Sequence, residues 1–285
     1  MFNPLSLINY RRNRRWFYPL ISIVVALSLA IASPIAAKAF DLRDLIVPGI
    51  QVIQLTRMSD KQEVQLGRQI NQQLGREFKL SRNRDLREYV EQIGQRLVPY
   101  SERPELEYTF QVVDDDNINA FATAGGFVYV NTGLLKAADN EAEVAGVMAH
   151  EIGHITGKHV LKQMRQAVIA GGLANAAGLD RSTVIALGVE FGIRRPRSRS
   201  HEYDADRRGL QMAVKTGYAP SGMIAFFQKL LRGGGSVPTI LSTHPETQDR
   251  IDALNLAIEE AGINPNQGNG LDGYAYKARI QKLLQ

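Results

Sequence analysis

The stretch Asn140-Glu141-Ala142-Glu143-Val144-Ala145-Gly146-Val147-Met148-Ala149-His150-Glu151-Ile152-Gly153-His154-Ile155-Thr156-Gly157 reads as a helix carrying two metal ligands and a general base. Asn140 with Glu143 has the form of a capping box, and Gly157 suits a C-terminal stop. Between them Val144, Val147, Met148, Ile152 and Ile155 recur at helical spacing. Residues four apart lie one above the other on a helix, so His150 and His154 can turn their imidazole nitrogens onto one ion. A zinc ion would lie about 2.0–2.1 Å from each nitrogen. Glu151 is one step round the helix, close enough to take a proton from a water polarised by the ion without ligating it. Gly146, Ala149 and Gly153 are small enough to let another backbone approach.

The 285-residue chain has no cysteine, which excludes a disulfide framework, a thiol nucleophile and cysteine-ligated metal. Any metal must be held by histidines and carboxylates. The formal net charge of +5 is unevenly placed. Five of the 34 basic residues (Arg11, Arg12, Arg14, Arg15 and Lys38) lie in residues 1–39 without an acid, leaving 29 basic against 29 acidic in the rest. A nucleic-acid partner therefore loses its main support. Residues 1–39 have the form of an export leader: a basic start, an apolar run from Trp16 to Ala32, and Ala37-Lys38-Ala39 as a cleavage site. The alternative is an uncleaved anchor giving membrane association through residues 16–37. Both predict an exported protein in a periplasmic or other extracytoplasmic compartment.

The remainder reads as an α+β chain, mostly helical. Apolar spacing predicts helices from Ser59 to about Phe78 and from Arg84 to Val98, both scaffold. Tyr108 to Val113 reads as a strand, followed by the acidic Asp114-Asp115-Asp116, a solvated turn. Ala120–Thr123 and Phe127–Val130 form a hairpin around Gly125-Gly126, directly before the metal helix. Its edge either holds an extended peptide by main-chain hydrogen bonds or is an ordinary hairpin. Two short helices, Val168–Ala177 and Ser182–Phe191, are expected next, a hairpin over the site. The basic run Arg194 to Arg199 reads as a surface turn. Further helices are predicted over His201–Val214, Ser221–Leu231 and Thr247–Ala261, with a Gly233–Ser236 loop between the last two. The expected organisation is a leader at 1–39, one domain at 40–262, and a linker with a short helical tail at 263–285.

A catalytic zinc site takes three protein ligands and one open position. His159, five residues beyond His154, falls off the ligand face. Glu202, on a helix of its own, is the best candidate for the third ligand. Asp206, four residues later on the same face, is placed to accept a hydrogen bond from the far nitrogen of a ligating histidine. The plainer reading of both acids is a charged helix face paired with Arg207 or Arg208.

Three segments then occur in order: His150-Glu151-Ile152-Gly153-His154, Ser198-Arg199-Ser200-His201-Glu202-Tyr203-Asp204-Ala205-Asp206, and Ser242-Thr243-His244-Pro245. Together with Asn119-Ala120-Phe121 to Gly133-Leu134 they resemble the HtpX and CAAX-prenyl-protease type of zinc metallopeptidase. The resemblance covers roughly residues 60–260 and looks closer to that family's soluble, exported members. It implies a zincin-like metalloprotease domain of the gluzincin kind, one zinc per chain, and Glu202 as the third ligand. It implies endopeptidase activity on unfolded or extended polypeptide, suited to quality control of exported or membrane proteins. It also brings His244 into the active site, as a donor to the oxyanion or as an occupant of the open zinc position; a loop cap before Pro245 is the plainer reading. Arg250 either orients that segment or is a surface charge. The rival to a peptidase is a zinc-stabilised, chaperone-like protein whose site is rarely open.

Overall fold

A computed structural model describes residues 58–170, 181–232, 238–245 and 247–285. The leader, the segment up to residue 57, residues 171–177 of the predicted 168–177 helix and the Gly233–Ser236 loop lie outside the described residues.

Helix α1, Asp60–Glu77, starts at a complete capping box between Ser59 and Gln62 and buries Leu66, Ile70 and Leu74. Helix α2, Arg84–Leu97, is capped by Asn83 and buries Leu86, Tyr89, Val90, Ile93 and Leu97. Strands β1 (Thr109–Val113), β2 (Ala120–Ala122) and β3 (Phe127–Asn131) form a sheet of order β1-β3-β2. The hairpin is present: β2 pairs antiparallel with β3, Ala120 opposite Val130. Strand β1 joins the other side of β3 in parallel, Thr109 opposite Phe127. Alternation marks a strand but not its partner, so the sequence carried no sign of this pairing. Gly125 (φ 77°) and Gly126 (φ 94°) take the left-handed turn between β2 and β3.

Short helix α3, Thr132–Ala137, leads to α4, Glu141–Thr156, the helix of the quoted stretch. Every residue of α4 after Glu141 is buried, because the helix is packed on its several sides by the sheet and two later helices. Helix α5 covers His159–Ala170 and α6 Arg181–Val189, with a π-helical turn over Glu190–Arg194. Helix α7, Arg199–Thr216, is capped by Ser198 and stops at left-handed Gly217. Helices α8 (Ser221–Arg232), α9 (Thr239–Thr243), α10 (Thr247–Glu260) and α11 (Gly273–Leu283) complete the order. Tyr276 and Ile280 of α11 lie in the same apolar core as α2, α4 and α8.

The small residues of α4 meet other backbones as expected. A methyl group added to Gly153 would lie 2.6 Å from the Ala205 carbonyl oxygen of α7, and one on Gly146 2.8 Å from Met223 Cα of α8. The capping box of α4 is only half made. Asn140 accepts from Glu143 N, but buried Glu143 turns to accept from Asp139 N and Lys229 Nζ, whose charge outcompetes the Asn140 amide. Among the described residues no helix is long and apolar enough to cross a membrane.

Candidate metal centre

Helix α4 sets His150 and His154 one turn apart, with their Nε2 atoms 2.9 Å from each other. The close packing of α7 on α4 then brings Glu202 from the first turn of α7 onto the same point. Its Oε1 lies 3.3 Å from His154 Nε2 and its Oε2 3.5 Å from His150 Nε2. His244, which ends α9, adds Nδ1 at 3.2 Å from His150 Nε2 and 3.1 Å from Glu202 Oε2. All four residues are buried, and one atom from each lies within 4.8 Å of the others. The sequence had these four in three separate segments, and the fold brings them to one place.

Asp206 lies one turn beyond Glu202, its Oδ1 2.8 Å from His150 Nδ1. Burial pulls the His150 imidazole down, but hydrogen bonds to Asp206 and Glu202 outweigh it and raise it to about 9. The donor set, imidazole and carboxylate without sulfur, is one that zinc takes. Burial likewise raises Glu202, but the neighbouring His244 and His154 hold its carboxyl well below the usual range.

Glu151 is fully buried beside the cluster, and neither of its carboxylate oxygens has a hydrogen-bond partner among the described residues. The approach of His244 Nε2 to Glu151 Oε1 is 3.5 Å. A buried carboxylate is ordinarily paired, so oxygens left over for a further group fit a base that works on a water between it and a metal.

Arg250, for which the sequence left an orienting role and a surface charge open, and Arg197, read as part of a surface turn, are both interior. Arg250 is 1% exposed and grips Asp206 with two bonds of 2.6 and 2.7 Å, while Nη1 lies 2.8 Å from Glu202 Oε2. Arg197, expected in a surface turn, is also buried. It donates to Gln163 Oε1 at 2.9 Å, to the Gly192 carbonyl at 2.9 Å and to the Phe191 carbonyl, and it reaches the Ala122 carbonyl of β2 at 3.4 Å. Its burial was hidden by a run whose other arginines do face solvent. Arg194, Arg195 and Arg199 are more than half exposed, at 59%, 62% and 61%.

His159 stays out of the ligand cluster, as its spacing predicts, yet its Nδ1 lies 2.8 Å from His154 Nδ1. The sequence reading passed over this contact and over Asp204, which meets His159 from the other side. Glu63 was likewise read as scaffold. It is buried against Arg103, which also donates to the Ile155 carbonyl near the end of α4.

Residues 84–258 match the sequence profile of Peptidase family M48. The chain belongs to peptidase family M48. It is 31% identical over 253 residues to the β-barrel assembly-enhancing protease of Escherichia coli K12, covering 83% of this chain and 51% of that protein. A putative β-barrel assembly-enhancing protease of Vibrio cholerae is 31% identical over 241 residues, 79% of this chain and 50% of its own. The mitochondrial metalloendopeptidase OMA1 of Schizosaccharomyces pombe is 29% identical over 181 residues, 61% of this chain and 54% of its own. The chain thus spans about half the length of the curated relatives it matches. M48 metallopeptidases use zinc, and the buried quartet of His150, His154, Glu202 and His244 can hold one ion.

Proposed function

We propose that this chain is a zinc-dependent endopeptidase that hydrolyses peptide bonds in unfolded or misassembled exported or membrane proteins. The observation that carries the reading is buried Glu151, neither carboxylate oxygen hydrogen-bonded among the described residues, beside two imidazoles and a carboxylate that meet at one point. His150, His154 and Glu202 would hold the zinc, and Asp206 would orient His150 through Nδ1. When bound, zinc supplies Lewis acidity, polarising the peptide carbonyl and making water a stronger acid. Glu151 takes the proton from the attacking water and returns it to the leaving amine. Strand β2 is on the edge of the sheet, and the part of that edge not taken by Arg197 at the Ala122 carbonyl is where an extended substrate would lie. The names of the relatives, an assembly-enhancing protease and mitochondrial endopeptidases, support a role in the upkeep of membrane proteins. The leader at 1–39 supports export to an extracytoplasmic compartment, with the catalytic domain at 40–262 and the 263–285 tail packed on it through Tyr276 and Ile280.

The test is cleavage of an unfolded model protein by the zinc-loaded chain beside its Glu151→Gln variant. Equal zinc in both, with cleavage falling by about 10²–10⁴-fold in the variant, is the expected result. Equal cleavage by both would remove Glu151 as the base.

One observation favours the chaperone-like alternative in part. His244 Nδ1 reaches the same point as the other donors, 3.2 Å from His150 Nε2, which would fill the position that substrate needs. His244→Ala separates the cases. Faster cleavage identifies an occluding fourth ligand, slower cleavage at unchanged zinc content identifies an oxyanion donor, and no cleavage by either protein returns the alternative.

A further inference from the structure

A zinc-binding imidazole has one nitrogen on the metal, and the partner of the other nitrogen decides its tautomer and tilt. For His150 that partner is the Asp206 carboxylate, 2.8 Å from Nδ1. For His154 it is another imidazole: Nδ1 faces His159 Nδ1 at 2.8 Å. His159 in turn presents Nε2 to Asp204 Oδ2 at 3.1 Å. Two arginines pin Asp204, Arg207 at 2.8 Å on Oδ1 and Arg208 at 2.7 Å on Oδ2. The His201 ring stacks on the far face of His159, centroids 4.4 Å apart and planes 12° from parallel.

The chain is built to bring His159 there. After α4 the backbone turns at Lys158, the one described non-glycine residue with positive φ, at 53°. That turn folds the first residue of α5 back beside the last turn of α4. Gly157 itself has an ordinary helical φ of −73°, so its lack of a side chain serves a different end. A methyl group there would strike the His159 ring.

We propose that His159, backed by Asp204, is a positioning residue of the metal centre, holding His154 in the tautomer that leaves Nε2 bare for zinc. For neutral imidazoles the chain of hydrogen bonds has one consistent assignment. An ionised carboxylate only accepts, so His159 carries its proton on Nε2 and donates it to Asp204. Nδ1 of His159 is then a bare acceptor, and His154 must place its own proton on Nδ1 to meet it. Both ends of the relay therefore select the metal-binding tautomer.

The inference rests on His154 being a zinc ligand, so the experiment includes a control for that reading. Zinc affinity of the full chain is measured by chelator competition, and the visible spectrum after cobalt substitution, for wild type, His154→Ala, His159→Leu, His159→Asn and Asp204→Ala. His154→Ala losing zinc supports the ligand set; zinc retained there overturns the proposed function and this inference with it. His159→Leu removes the acceptor and should weaken zinc roughly 10- to 100-fold, with a shifted cobalt band. His159→Asn sets an amide oxygen where Nδ1 was and should recover most of the affinity and the wild-type spectrum, which a purely structural role would not predict. Asp204→Ala, at a partly exposed position, should show an intermediate loss. Wild-type affinity and spectrum in His159→Leu, or an Asn variant no better than Leu, overturns the proposal. If the Leu variant does not fold, Asp204→Ala decides, and wild-type zinc affinity there overturns it.

Discussion

Arg250 sits between Asp206 and Glu202 with its guanidinium 4.6 Å from the centroid of the Phe227 ring, and each of its three nitrogens faces part of the centre. Burial works against its charge, but Asp206 and then Glu202 raise its affinity for the proton further. Removing one member of such a buried set leaves the others uncompensated. Arg250→Met in the zinc-free protein is expected to lose about 3–5 kcal/mol by urea unfolding. A loss under about 1 kcal/mol, the range of exposed pairs, would mean solvent reaches the site. The same substitution frees Asp206, and with it the orientation of His150, so zinc affinity is expected to fall as well. In the sequence Arg250 and Arg197 look like any other arginines. Their partners lie 44 residues away at Asp206 and 34 residues away at Gln163, beyond the reach of periodicity.

Helices α4 and α7 supply every proposed ligand except His244, and their separation sets whether Glu202 reaches the two imidazoles. Gly153 sets that separation against Ala205. Gly153→Ala would have to push α7 outward, since the obstacle is backbone oxygen rather than a side chain that can rotate. The expected cost is about 1–3 kcal/mol in urea unfolding, together with weaker zinc binding. Wild-type zinc affinity would show that Glu202 does not depend on this contact. Gly75 of α1 serves as a control: a methyl group there meets nothing within 4 Å, so Gly75→Ala should be neutral or slightly stabilising. The edge strand β2 was legible as half of a hairpin. Its outer neighbour was not, because the Ala122 carbonyl is met by Arg197, from the far side of the π-helical turn.

The whole molecule should lose stability in acid, and the sign follows from its half-buried, hydrogen-bonded carboxylates and from its neutral buried histidine, His159. Burial raises Glu141 at the head of α4, but hydrogen bonds from Tyr89, Arg96 and Tyr218 bring it below its ordinary value of 4.5. Asp204 likewise lies below its ordinary 3.8. A carboxylate depressed in the folded state contributes fully above its unfolded value. The contribution shrinks once the unfolded chain takes up a proton the folded one refuses, and it is gone below the folded value. Thermal midpoints of the zinc-free protein should therefore fall from about pH 6.5, where the unfolded chain begins to take the proton that the buried, neutral His159 refuses, to about pH 3, with a shallower fall below about pH 5 for Glu141→Gln. A flat profile would show that these groups keep their ordinary values on folding. The sequence by itself determined the metal helix, the order of the three motif segments, the hairpin before them and the mostly helical class, because spacing along one helix and pairing across a tight turn are local geometry. Only the tertiary structure decided that β1 joins β3 in parallel, that His244 Nδ1 lies beside His150 and Glu202, that Arg250 and Arg197 are interior, and that His159 meets His154. Each of those depends on close approach between segments far apart in the chain, and burial by packing leaves no trace in the local pattern of residues.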